Sequence, residues 1–133
     1  MKKNVFFTTI VTAVILFAAS CSKNTPPNNP TLSITGKWDG SYAKLGPARL
    51  FTLNFMAGGA FAVDSSRSST SDLATGSWAL GADSVRATYT YLDGITGTFT
   101  IAGKVSSDYK TIVGTLGPGA STTGSGTFTV TKN

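Results

Sequence analysis

From Ile34 onward the chain predicts an all-β fold: an eight-stranded antiparallel up-and-down β-barrel. Three observations predict it. Apolar and polar residues alternate with a period of two, with no apolar spacing of three and four. Thr, Val, Phe, Tyr and Trp dominate the alternating runs, the residue types that suit a pleated, half-buried surface. Short Gly-containing connectors separate the runs, and Asp-Gly between alternating runs is a strong hairpin signal.

Taken in order, the runs cover about 34–43, 49–56, 59–64, 73–80, 84–92, 95–105, 110–116 and 123–131. The first places Trp38, Gly40 and Tyr42 on one face, with Lys37, Asp39 and Ser41 on the other. The second puts Phe51, Leu53 and Phe55 on the apolar face, and the third Phe61 and Val63. The fourth and fifth add Trp78, Leu80, Val85, Ala87, Tyr89 and Tyr91, and the last three Phe99, Ile101, Ile112, Leu116, Phe128 and Val130. Leu50, Met56, Leu92 and Val113 are the exceptions. Eight strands with one apolar face bury it best by closing the sheet on itself, which also removes both edges. A two-layer β-sandwich would satisfy the same alternation. The short, sequential connections favour the barrel.

A partial repeat supports one sheet of similar strands. Gly36-Lys37-Trp38, Gly76-Ser77-Trp78, Gly97-Thr98-Phe99 and Gly126-Thr127-Phe128 each place a glycine two residues before an inward aromatic. We read the glycine as leaving room for a neighbouring ring and for strong local coiling.

Composition narrows the chemistry. The chain holds no His, no Glu and no Gln, and six Asp. The missing His removes the commonest general base and a leading zinc ligand. The basic residues are scattered, so nothing suggests a nucleic-acid footprint. Gly117-Pro118-Gly119 follows a strand with no helix behind it, which defeats a phosphate-loop reading. The polar run Asp64–Asp72 lacks the ligand alternation of a calcium loop and reads as solvated. The expected protein is therefore not an enzyme and carries no cofactor or metal.

The N-terminus has the layout of a secretory signal over residues 1–20. Lys2 and Lys3 precede an apolar run from Val5 to Ala19, too short to span a bilayer. Ala18-Ala19-Ser20-Cys21 then resembles the lipobox of bacterial lipoproteins. The resemblance implies acylation of Cys21, the only cysteine, with palmitate-type chains, and a membrane anchor in the cell envelope. Ser22 in place of Asp resembles an outer-membrane destination. Residues 21–33 read as the lipidated Cys21 and a Pro- and Asn-rich tether whose residues 22–33 reach about 37 Å, and 34–133 as one barrel domain.

Gly36-Lys37-Trp38 on the first strand resembles the G-x-W signature of lipocalins and their calycin relatives, a group that includes the avidins. The meander and its Gly126-Thr127-Phe128 close are similar to small lipocalin-like bacterial lipoproteins. That resemblance implies a barrel open at one end, with Trp38 packed across the other, and a small apolar or amphipathic ligand. Chain direction places connectors 57–59, 81–83 and 106–108 at one end, where the tether joins. The longer connectors 44–48, 64–72, 92–94 and 117–122 rim a mouth turned away from the membrane. Tyr42, Arg49, Phe51, Tyr89, Tyr91 and Leu116 are the candidate ligand-binding residues there, with Arg49 orienting an anionic group. Two readings stay open: a ligand cavity, or a filled core whose Thr-rich wall or loops bind a protein or glycan.

Overall fold

The computed structural model describes residues 33–64, 72–92, 94 and 96–133. The signal segment, Cys21 and the tether up to residue 32 lie outside the described residues, as does most of the Asp64–Asp72 run. Eight strands follow in order: β1 Gly36–Ala43, β2 Arg49–Phe55, β3 Ala60–Asp64, β4 Asp72–Gly81, β5 Ser84–Tyr91, β6 Thr98–Val105, β7 Thr111–Pro118 and β8 Gly126–Lys132. A single 3-10 turn, Ala57–Gly59, joins β2 to β3.

Each strand pairs antiparallel with its sequence neighbours, and β8 returns to β1 through Trp38↔Lys132, Gly40↔Val130 and Tyr42↔Phe128. The sheet is a closed barrel, so it has no free edge. The sandwich alternative is thereby excluded. Thr31–Asn133 forms one unit by its own contacts. Its core, from Ile34 to Val130, is built from these strands and the residues leading into them.

Cross-strand partners climb the barrel. Starting low on β1, the register runs Gly36↔Phe55, Phe55↔Phe61, Phe61↔Gly76, Gly76↔Tyr89, Tyr89↔Phe99 and Phe99↔Pro118, which lies at the opposite end on β7. This stagger is the strand tilt that barrel closure demands. It also stacks rings along one ascending row. Phe55 and Phe61 centroids lie 5.1 Å apart, Phe61 and Tyr89 5.9 Å, and Tyr89 and Phe99 5.9 Å. Phe61 meets Tyr89 across Gly76, which has no side chain to separate them. A Cβ there would also lie 1.9 Å from the Thr88 carbonyl oxygen.

The other three members of the glycine–aromatic repeat differ. Gly36, Gly97 and Gly126 have φ of 123°, 123° and 127°, each just before or at the start of a strand. No ring approaches the space at any of the three. Their glycine answers to backbone conformation, which L residues rarely adopt. Gly76 differs from them in answering to close strand approach, since the nearest atoms to its missing Cβ are the backbone of Thr88 and Tyr89.

The lower end is sealed. Trp38 is fully buried and donates its indole N–H to the Ile34 carbonyl at 2.7 Å, with the Lys132 ammonium 5.8 Å from its ring centroid. Trp78 donates to the Met56 carbonyl at 2.9 Å and meets Phe55 edge-on at 5.5 Å. Burying Trp38 with a satisfied N–H anchors this end.

Several expectations need correction. β5 ends at Tyr91 and β6 begins at Thr98, so the connector runs over 92–97 rather than the expected 92–94. Gly94 and Gly97 both have positive φ, which holds the chain out of the ladder until Thr98. β7 runs to Pro118, which pairs with Phe99, so the last connector is 119–125 rather than 117–122. Leu80, expected inward, is 37 % exposed, because β4 overshoots the core before its hairpin. Thr52 and Thr100 sit on the polar face yet are buried. The connector 119–125 folds onto the outer wall, where Thr100 donates to the Gly119 carbonyl at 2.6 Å and Arg86 to the Ala120 carbonyl at 2.7 Å.

Candidate functional site

The ends of β1, β3, β5 and β7 and the starts of β2, β4, β6 and β8 share the upper end. There a cavity of about 260 Å³ opens between the strands, lined by Tyr42, Lys44, Phe51, Tyr89, Tyr91, Phe99, Leu116 and Ser125. Five of the six residues proposed from sequence line it together: Tyr42, Phe51, Tyr89, Tyr91 and Leu116. They converge because their shared parity turns them inward and their strands end or begin at the same level. Arg49 does not line it. It belongs to a neighbouring hollow of about 270 Å³ formed by Tyr42, Lys44, Leu45, Gly46, Pro47 and Arg49. The cation at the cavity is Lys44, two residues beyond the inward Tyr42.

Sequence reasoning missed Phe99, Ser125 and Lys44 as lining residues. Phe99 is expected inward, within a run beginning at 95. With β6 starting at Thr98, Phe99 is its second residue and stands at the mouth. Ser125 was read as part of a strand from 123, whereas it ends the connector before β8 and donates its N–H to the Leu116 carbonyl at 2.9 Å.

The walls are aromatic and held by edge contacts. Tyr42 meets Phe51 at 5.3 Å and 61°, Tyr91 meets Phe99 at 5.5 Å and 81°, and Tyr89 meets Tyr91 at 5.6 Å and 77°. Such geometry suits the ring quadrupoles. Phe51 also meets Phe128 at 5.6 Å, tying this wall to β8.

The polar feature is the Tyr89 hydroxyl. Among the described residues it is the buried side-chain polar atom without a hydrogen-bond partner. Burial first, then Tyr91 through its charge and a hydrogen bond too loose to count by strict geometry, and last Tyr42, push its ionisation well above the ordinary phenol range. Tyr89 therefore stays protonated and keeps an O–H donor in an aromatic wall. A buried donor left unmade costs roughly 1–3 kcal/mol. Cavities lined by aromatics with a few placed polar groups are the usual form of a small-molecule site.

Other perturbed groups lie elsewhere. Asp83, in the β4–β5 hairpin, is held below the usual carboxylate range by Lys104 and Ser84, and Asp108, in the β6–β7 turn, by Ser106 and the Lys110 amide. Both sit in exposed turns at the sealed end, where local hydrogen bonds explain them.

No family model, no curated protein and no solved structure matches this chain.

Proposed function

We propose that the barrel is a binding module that holds a small apolar or amphipathic molecule at its mouth, on a chain lipid-anchored through Cys21 in the cell envelope. The observation that carries the reading is the buried Tyr89 hydroxyl in the wall of an aromatic cavity, left without a full hydrogen bond beside the Tyr91 phenol. A ligand oxygen accepting from it would remove the cost of that buried donor. A volume near 260 Å³ is at the small end for ligand sites, so the ligand is small or leaves part of itself at the rim. The exposed ammonium of Lys44 suits an anionic or strongly polar end there. The calycin-like barrel is compatible with this use, and the absence of His and Glu argues against a catalytic one.

The test is native mass spectrometry of residues 31–133 after incubation with a membrane-lipid extract. A stoichiometric adduct is expected, and its mass names the ligand class. Leu116→Trp, which fills the cavity from a buried lining position, should abolish the adduct. An unliganded mass under gentle conditions, or an adduct indifferent to Leu116→Trp, overturns the proposal.

A further inference from the structure

The mouth carries a second feature that ligand binding does not require. Among the described residues, five large hydrophobic side chains are exposed, and three of them are leucines around this one opening. Leu45 is 97 % exposed, Leu50 61 % and Leu92 62 %. The other two lie apart, Leu80 at the sealed end and Val113 on the outer wall. Single exposed apolar residues need no explanation, but a group at one functional opening does.

The three leucines straddle the cavity. Leu45 follows Lys44, a lining residue on the β1–β2 side, and Leu92 follows Tyr91, a lining residue on the β5 side. Leu50 faces outward opposite Ser41, beside Leu45's connector. On the β1–β2 side each leucine has a cation next to it in the chain, Lys44 before Leu45 and Arg49 before Leu50. Both cations are exposed. Among the described residues no acidic side chain lines the cavity or the adjoining hollow. Asp64, at the mouth end of β3, is paired with Lys37 at 2.7 Å. The side chains of Asp72 and Asp93 lie outside the described residues.

We infer that this rim docks on an anionic lipid bilayer, replacing the expectation of a mouth turned away from the membrane, with Leu45, Leu50 and Leu92 entering the interface and Lys44 and Arg49 meeting the headgroups. Leucine beside a cation is the pairing that an anionic interface rewards: apolar area for the acyl boundary and positive charge for the lipid phosphates. The leucines stand at separate points around an opening rather than forming one packed patch. A fluid surface accommodates that arrangement, whereas a rigid protein partner would need a matching contour. Docked this way, the cavity opens onto the hydrocarbon boundary, and an apolar ligand passes between lipid and barrel without crossing water. The inference stands on the rim alone and does not need the cavity to be occupied.

The experiment is co-sedimentation of residues 31–133, a unit whose strands and core are self-contained, with vesicles of phosphatidylglycerol and phosphatidylcholine or of phosphatidylcholine alone. Binding to the anionic vesicles is expected, weakening as salt rises. Leu45→Ser and Leu92→Ser should each weaken it about tenfold, and Lys44→Ser and Arg49→Ser about fivefold each at low salt. Val113→Ser, on the wall, should leave it unchanged. Repeating the assay with the cavity filled by Leu116→Trp separates this result from the ligand reading, since docking should survive. No sedimentation with anionic vesicles overturns the inference, as does equal binding by the leucine variants or equal loss in Val113→Ser. Loss of a cross-linked protein partner in the leucine variants, with vesicle binding unmoved, would assign the rim to a protein and overturn it too.

Discussion

Replacing Tyr89 by Phe should make the protein more stable and the mouth a poorer site. The substitution removes one oxygen and leaves the ring. The ring contacts with Phe61, Tyr91 and Phe99, at 5.9, 5.6 and 5.9 Å, are therefore kept, and no cavity is opened. What is lost is a buried hydroxyl left without a full hydrogen bond, a group that costs roughly 1–3 kcal/mol to bury. The neighbouring phenols soften that cost, so we expect a gain of about 1 kcal/mol. For a domain of this size that raises Tm by about 4–8 °C. A ligand hydrogen bond to the same hydroxyl contributes a net ~0.5–1.5 kcal/mol, so ligand retention should fall about two- to tenfold. Differential scanning calorimetry reads the first effect and ligand titration the second. If Tyr89→Phe lowers Tm, the hydroxyl is satisfied in the folded protein, and the reasoning that makes it a ligand anchor is wrong.

Three further outcomes are expected. Raised ionisation of Tyr89 makes stability fall at high pH: the unfolded chain releases this proton above about pH 10 while the folded chain keeps it, so stability is complete below that pH and declines above it by at most ~1.4 kcal/mol per pH unit. Denaturant titrations on either side of pH ~10 should show the decline, and Tyr89→Phe should flatten it. Trp38→Ala should cost about 3–5 kcal/mol in urea unfolding, since it empties a fully buried site and strands the Ile34 carbonyl. Gly76→Ala should destabilise by at least about 1–3 kcal/mol, because its Cβ meets strand backbone at 1.9 Å, whereas Gly81→Ala, which meets nothing within 4 Å, should be near neutral; equal effects would contradict the close-approach reading.

Strand number, order and facing were legible because one alternation, repeated eight times, leaves little choice about which side is buried. Tyr42, Phe51, Tyr89, Tyr91 and Leu116 could be placed at one cavity from parity and chain direction alone. Alternation does not say where pairing begins. Gly97 and Gly126 set the starts of β6 and β8 through positive φ, and this moved Phe99 and Ser125 into the site. Nor does a polar residue's outward parity mean exposure. Thr100 is buried because a connector distant in sequence folds over it and is held there by Thr100 itself and by Arg86. That contact depends on a loop path, which no local pattern encodes. Arg49 shows the complementary limit: it begins the right strand at the right level, but it lines the adjoining hollow while Lys44 lines the mouth.

The ascending row of rings has a practical consequence for anyone watching this protein with light. Both of its tryptophans, Trp38 and Trp78, sit at the sealed end, and the phenols of Tyr42, Tyr89 and Tyr91 stand at the mouth. Tryptophan emission will therefore report whether the barrel is closed and be nearly blind to what enters it. Tyrosine absorption will respond to occupancy while the tryptophan signal stays flat. One sample in one cuvette thus carries two separate readouts, one for the integrity of the vessel and one for its contents.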